Sequence, residues 1–348
     1  MILPPARRTF VASRTRALAM LALGVASCVV VACQGGHGDR SAAEAAHGSP
    51  GVGIAPLDTP PRLLVLHAGS LAAPMRAALD SFTARTGARV ATMSAGSLEA
   101  ARRITELRDV PDVIALADEQ VFPSLLMPDD VSGYFVFARN RMVIAVTPRR
   151  AHELTDSTNW YRALADSLVD VGRSDPDLDP AGYRALLVLQ LAARVYHIPS
   201  LAQRVLARSG PENVRPKSSD LLALLETGVL DYAFVYESSA RAARLHWIQL
   251  PSSVDLGDES KAAEYATASV KVKGRTRGET MTVRGAPIRY ALAVPREAPH
   301  PTAASKLAEY LLSDAGLAAM RAAGLPTVQP HYVGASPPKR LVVAAPPR

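Results

Sequence analysis

Between residues 63 and 127 the chain switches three times from a short apolar run to a stretch with apolar residues at helical spacing. Leu63-Leu64-Val65-Leu66 reads as a buried strand, and Leu71, Met75, Ala78, Leu79 and Phe82 then recur every three or four residues. Residues 89–93 form the second run, followed by Leu98, Ala101, Ile104 and Thr105; residues 113–116 form the third, followed by a helix-like 121–127. A strand covered on both faces is apolar throughout, whereas a surface helix carries one apolar stripe. Alternation of the two requires parallel strands joined by crossover helices, an α/β fold.

Residues 134–146 are a long apolar stretch broken by Arg139-Asn140-Arg141, which reads as a strand leaving one lobe for another. A second α/β series follows, with strands at 168–171 and 232–236 and helices at 181–196 and 220–225. Residues 288–294 form a second crossing strand, and helices near 303–312 and 315–323 close the fold. The expectation is two lobes, each a mixed, mainly parallel sheet flanked by helices, joined by a two-strand hinge. Lobe 1 takes 62–145 and 288–332, and lobe 2 takes 146–287. A length of 348 residues suits two cores rather than one.

The first 33 residues hold Arg7, Arg8, Arg14 and Arg16, no acidic residue, and an apolar run from Ala17 to Ala32 that ends at Cys33. A basic start with an apolar run this short reads as an export signal rather than a membrane span. Val30-Val31-Ala32-Cys33 has the pattern of a lipoprotein cleavage site, which puts a lipid on Cys33 and a membrane anchor on the protein. Cys28 follows a similar run, but cleavage there leaves Val29-Val30-Val31 facing water. Both cysteines lie in this segment, so the rest of the chain has no disulfide and no thiol catalyst. Residues 34–61 are rich in Gly, Ala, Ser, His and Pro and read as a flexible tether, and 333–348 as a Pro-rich tail. Taking the four signal arginines from the formal charge of +7 leaves +3. That is too mild for a phosphate-backbone footprint, and nucleic acid is excluded as a partner.

Chemistry is expected at four loop-to-helix junctions: His67-Ala68-Gly69-Ser70, Ser94-Ala95-Gly96-Ser97, Asp179-Pro180-Ala181-Gly182-Tyr183, and the segment from Ser218 to Asp220. A helix N-terminus presents unpaired N–H groups and a partial positive charge, so it holds an anion without Lys or Arg. Gly before each Ser lets the backbone approach a ligand, and the hydroxyl adds a rotatable donor. Taken singly, Ser70, Ser97 and Ser218 read as N-caps. Two copies of Ala-Gly-Ser at equivalent junctions favour a ligand site. His67 reads as a buried strand end rather than a metal ligand, Arg102-Arg103 as a solvated helix face, and Trp160 and Trp247 as packing residues.

Leu66-His67-Ala68-Gly69-Ser70-Leu71 resembles the start of the archaeal-type tungstate/molybdate-binding proteins of ABC importers. Gly172-Arg173-Ser174-Asp175-Pro176 through Asp179-Pro180-Ala181-Gly182-Tyr183-Arg184 resembles their second-lobe signature, as do Arg215-Pro216-Lys217, Leu221–Glu226, Tyr236, Leu250-Pro251 and Gly285-Ala286-Pro287-Ile288. The resemblance spans residues 63–330. It implies a type II periplasmic binding protein fold with ligand positions at Ser70, Ser97, Asp179, Ala181, Ser218 and Tyr236. It also implies no cofactor, a monomer lipid-anchored in the periplasm or at the cell surface, and partnership with an ABC permease and ATPase.

In that family a Glu follows the Arg-Pro-Lys run, and with Asp179 it would complete six-coordination of the metal centre. Here the position is Ser218, and Asp220 lies about 200° around a helix from it. The family's Cys after Asp-Pro is Ala181. One carboxylate in place of two leads to the expectation of a tetrahedral or incompletely expanded oxyanion, with sulfate as a competitor. A cell-surface enzyme and a ligand sensor are the other readings. Against the enzyme, the chain has no Gly-x-Ser-x-Gly elbow and no phosphate loop, and His67 and Ser70, close together at one strand end, are badly placed as base and nucleophile.

Overall fold

A computed structural model describes residues 61–153, 158–276 and 278–335. The signal segment with Cys33, the tether and most of the Pro-rich tail fall outside the described residues. The first run begins with β1 (Arg62–Ala68), a single 3-10 turn (Gly69–Leu71) and α1 (Ala72–Thr86). β2 (Arg89–Ala95) leads into α2 (Ser97–Thr105), and β3 (Val113–Leu116) into a π-type turn (Phe122–Leu126). β4 (Gly133–Asn140) ends it. The second run comprises β5 (Met142–Val146), α3 (Trp160–Leu164), β6 (Val171–Ser174), α4 (Pro180–Val195) and α5 (Leu201–Leu206). It continues through β7 (Val214–Arg215), α6 (Ser219–Glu226), β8 (Tyr232–Tyr236), α7 (Glu237–Ala242) and β9 (His246–Gln249). α8 (Ala262–Tyr265), a hairpin of β10 (Ser269–Lys273) and β11 (Thr280–Arg284), β12 (Ile288–Ala293), α9 (Pro301–Leu312), α10 (Asp314–Ala322) and β13 (Thr327–Gly334) complete the order.

Beside the two-stranded β10-β11 hairpin, two larger sheets result, in the orders β13-β4-β12-β3-β1-β2 and β7-β6-β8-β5-β9. In the first, β1 runs parallel to β2 and β3, whereas β12 and β13 join antiparallel. In the second, β6 runs parallel to β7 and β8, and β5 lies antiparallel between β8 and β9. The two-lobed α/β reading holds. Parallel pairs are not the majority, however, because strands that cross from the other lobe enter against the direction of those built by local strand–helix units.

The single long strand read at 134–146 is two strands in two sheets. β4 ends at Asn140, Arg141 makes the crossing, and β5 starts at Met142. β12 is the second crossing, paired to β4 with Ile288 opposite Asn140. A third strand of chain braces both, since Met142 N donates to Asp255 O at 2.8 Å and Ile288 N to Leu256 O at 2.9 Å. Local chemistry sets the helix ends. Asp179 caps α4 with Pro180 at its first position, and Ser313 caps α10 by accepting from Gly316 N. Gly87, at φ 69°, ends α1 in the left-handed region that glycine enters without strain.

Every residue of β8, Tyr-Ala-Phe-Val-Tyr, is buried, as both faces of a central strand must be. Trp160 packs edge-on against Phe234 of that strand and against Tyr196. Trp247 is partly buried beneath the Arg241 guanidinium, 5.3 Å from its ring centre. Both tryptophans therefore pack rather than bind. His67 is buried, its Nδ1 2.9 Å from Ala68 O, and burial holds its pKa below the usual histidine range.

Candidate functional site

The ends of β1 and β2 in the first lobe meet the start of α4 and the turn before α6 in the second. Glycine makes that meeting possible. A Cβ on Gly96 would sit 2.2 Å from Leu178 O, and one on Gly69 2.7 Å from Ser219 Oγ. The two glycines thus allow the backbone to approach the opposite lobe, where the sequence suggested an approach to ligand alone. Leu98 N and Glu99 N, at the start of α2, donate to Leu178 O at 3.0 and 3.2 Å. Two of the amides expected to face an anion therefore hold a carbonyl from across the cleft.

Asp179 is buried, and both its oxygens accept backbone N–H groups: Ala181 N on Oδ1 at 3.3 Å and Ser218 N on Oδ2 at 2.6 Å. Burial raises its pKa, and these two bonds, with the Ser174 and Ser218 hydroxyls nearby, oppose the rise. Each carboxylate oxygen has two in-plane lone pairs, so one remains on each for a further partner. Asp179, Ala181 and Ser218 are therefore joined directly. Ala181 contributes its backbone N–H, and its methyl side chain offers no donor. Asp220 faces Lys217 at 3.7 Å and is more than a third exposed, so it does not replace a second carboxylate.

None of the three serines acts as a side-chain cap. Ala68 precedes the turn that holds Ser70, Gly96 occupies the cap of α2, and Ser218 stands at the cap of α6 without a side-chain bond. Ser97 Oγ instead accepts the Ala117 N–H at 3.0 Å, which leaves its own hydrogen free to donate elsewhere. Tyr236 is oriented in the same sense, because its Oη accepts from Arg184 Nη1 at 2.6 Å. Ser70 Oγ lies 2.9 Å from Tyr290 Oη, and the Tyr290 and Tyr236 rings meet edge-on with centres 5.8 Å apart. Ser70 and Tyr236 are thereby linked through Tyr290, and Ser97 and Tyr236 through Ala117 and Arg184.

Arg184, on the second turn of α4, is a site member that sequence reasoning missed. Its guanidinium is almost wholly buried, donates to Ala117 O at 2.7 Å and to Tyr236, and pairs with Asp118 Oδ2 at 3.1 Å. Burial works against its charge, but Tyr236, Asp118 and Tyr183 more than restore it, and it stays protonated. The Tyr183 hydroxyl donates to the same Asp118 carboxylate. A signal was present: an arginine inside Ala-Gly-Tyr-Arg-Ala-Leu-Leu-Val-Leu must find a buried partner, because such a helix is apolar on every side.

The expected solvated face at Arg102-Arg103 is corrected at Arg102. That side chain crosses the cleft rim, with Nη1 on Asp177 O at 2.6 Å and Nη2 on Lys273 O at 2.7 Å. Arg103 pairs with Asp109 at 2.5 Å on its own lobe.

The model of the bacterial extracellular solute-binding protein family matches residues 63–325. An uncharacterized solute-binding protein of Petrotoga mobilis is 39% identical over 270 residues, 77% of this chain and 84% of that protein. The molybdate/tungstate-binding protein WtpA of Pyrococcus abyssi is 33% identical over 284 residues, covering 73% and 81%. Among solved structures, the periplasmic molybdate-binding protein of Azotobacter vinelandii superposes with a TM-score of 0.56 at 17% identity, covering 76% of this chain and 98% of that one. That likeness is one of fold. Two lobes meeting on a buried polar cleft, and a match across nearly all the described residues, lead to one conclusion: the chain belongs to the extracellular solute-binding protein family, a family of carriers rather than enzymes.

Proposed function

We propose that the protein captures tungstate or molybdate between its lobes and delivers it to the permease and ATPase of an ABC importer. The observation that carries this reading is the orientation of the site hydroxyls. Ala117 N occupies the acceptor side of Ser97, and Arg184 that of Tyr236, so both present hydrogens. An oxyanion with no proton of its own accepts and never donates, and hydroxyls turned as donors suit it. Relatives named for molybdate and tungstate agree with that chemistry. In the proposed arrangement Ser70, Ser97 and Tyr236 donate to the oxygens, Asp179 faces the metal centre, and Ser218 supplies its N–H to Asp179. A lipid on Cys33 would hold the monomeric carrier at the membrane outside the cytoplasm.

Ser218 supports a second reading. With Asp179 as the one carboxylate drawn from these positions, the bound oxyanion stays tetrahedral or expands incompletely, and sulfate fits the same donors. Calorimetric titration with tungstate, molybdate, sulfate and phosphate decides between them. Tungstate or molybdate should bind most tightly. Sulfate as the tightest ligand would establish the second reading, and preference for phosphate would overturn both.

A further inference from the structure

Asn140 lies at the crossing between the lobes, two residues before the chain enters the second sheet. Its amide orientation is fixed by the backbone. Oδ1 accepts Arg141 N at 3.0 Å and Ser238 N at 3.4 Å, and N–H groups require an oxygen there. Nδ2 must then face the other way, where it meets Ser238 Oγ at 2.7 Å and Tyr290 Oη at 3.1 Å. An amide nitrogen only donates, so Tyr290 Oη is the acceptor in that contact. The Tyr290 phenol is wholly buried, and burial pushes its pKa up, so it keeps its proton. Its remaining partner is Ser70 Oγ at 2.9 Å, and Tyr290 must donate to it. Ser70, with one lone pair held by Tyr290, has its own hydrogen free to offer the cleft.

We propose that Asn140 is a specificity-determining positioning residue: through Tyr290 it sets Ser70 as a donor and so favours proton-free anions over those that carry a proton. The inference rests on the oxyanion-binding reading and deepens it. Asp179 remains an acceptor for a protonated anion, so the relay acts at one contact: it turns a hydrogen toward the oxygen that Ser70 meets. The two ends of the relay come from different parts of the fold, with Asn140 at the end of β4 and Ser70 in the turn after β1. Both β4 and β12 must be in place for Tyr290 to span them.

Asn140→Asp tests the relay, since it keeps the shape and the two backbone contacts but replaces the donor by an acceptor. Tyr290 then turns its hydrogen toward residue 140, and Ser70 donates to Tyr290 and shows the cleft a lone pair. Titration of wild type and variant with tungstate, molybdate, sulfate and inorganic phosphate should show the three proton-free anions weakened about 10- to 100-fold, the range of a lost hydrogen bond to a charged group. Phosphate shares the repulsion from the added carboxylate but gains a lone pair at Ser70, so it should lose less, and the ratio between the classes falls. Tyr290→Phe, which releases Ser70 to rotate freely, should lower the same ratio by less. A hinge that is merely damaged would weaken every anion alike, and an unchanged ratio in Asn140→Asp overturns the proposal. Wild-type preference for sulfate over tungstate would sink the tungstate reading and leave the relay standing. Wild-type preference for phosphate, or no binding of any of the four, would sink the relay too.

Discussion

Arg184 and Asp118 form a buried ion pair across the cleft, Nη2 to Oδ2 at 3.1 Å, with the arginine on α4 of one lobe and the aspartate just after β3 of the other. Opening the lobes would return both charges to water. Their pairing therefore bears on closure more than on folding. Arg184→Met should weaken oxyanion binding by roughly 2–3 kcal/mol, because Tyr236 loses the donor that orients it. The melting temperature without ligand should fall much less than the affinity does. A large loss of melting temperature with unchanged affinity would show the pair to be structural only.

Gly96→Ala places a methyl group where Leu178 O already lies 2.2 Å away. Backbone cannot retreat there without separating the lobes. Binding of tungstate should drop at least tenfold, and small-angle scattering with ligand should keep the larger radius of the open form. Closure at wild-type affinity would mean that the approach of Gly96 to Leu178 is incidental.

Ser218→Glu examines the missing carboxylate. Tungstate and molybdate expand their coordination and sulfate does not, so the added acid should preserve or improve the first two. Sulfate, facing a second buried negative charge, should weaken by more than about 2 kcal/mol. Equal losses for tungstate and sulfate in calorimetry would show that Asp179 does not meet the metal centre.

Asp231 gives a stability prediction away from the cleft. Burial alone would raise its pKa, but the Asp170 N–H and the Arg150 and Arg149 guanidinium groups lower it overall. A folded-state pKa below the unfolded one contributes stability that is present above the unfolded value and lost as pH falls through the folded one. Asp231→Asn should therefore cost about 2–3 kcal/mol at pH 7. The difference from wild type should shrink in urea melts below about pH 4, the ordinary aspartate range. A difference independent of pH would point to packing instead.

Much of the fold was legible because its signals are local. The strand at 232–236 stands where the apolar run predicts it, and α4 begins at the Asp-Pro pair. The strand read at 168–171 lies instead at Val171–Ser174, and Leu168 is 82% exposed. There the chain places polar Arg173 and Ser174 in a strand because pairing with β7 and β8, not apolar pattern, defines it. β13 escaped notice for the same reason: it contains Pro330 and polar residues, and β4, almost two hundred positions earlier, makes it a strand. The site divides likewise. Serines and an aspartate at helix starts announce themselves, whereas Arg184 and Asn140 acquire meaning only when Asp118, Tyr236 and Tyr290 are brought beside them. Sequence spacing carries no record of those distances.

Arg102 grips the β10–β11 hairpin by main-chain oxygens, those of Lys273 and Gly274, as well as by Asp177 O in the loop before α4. Carbonyls are common to every residue type, so this grip is indifferent to which side chains the hairpin displays. Ser269, Lys271 and Thr282 can drift in sequence, or carry an environment-sensitive dye, without loosening the contact that seats the hairpin. The rim of the cleft is thus the place where an optical reporter of lobe closure can be mounted while the anion's own surroundings are left untouched.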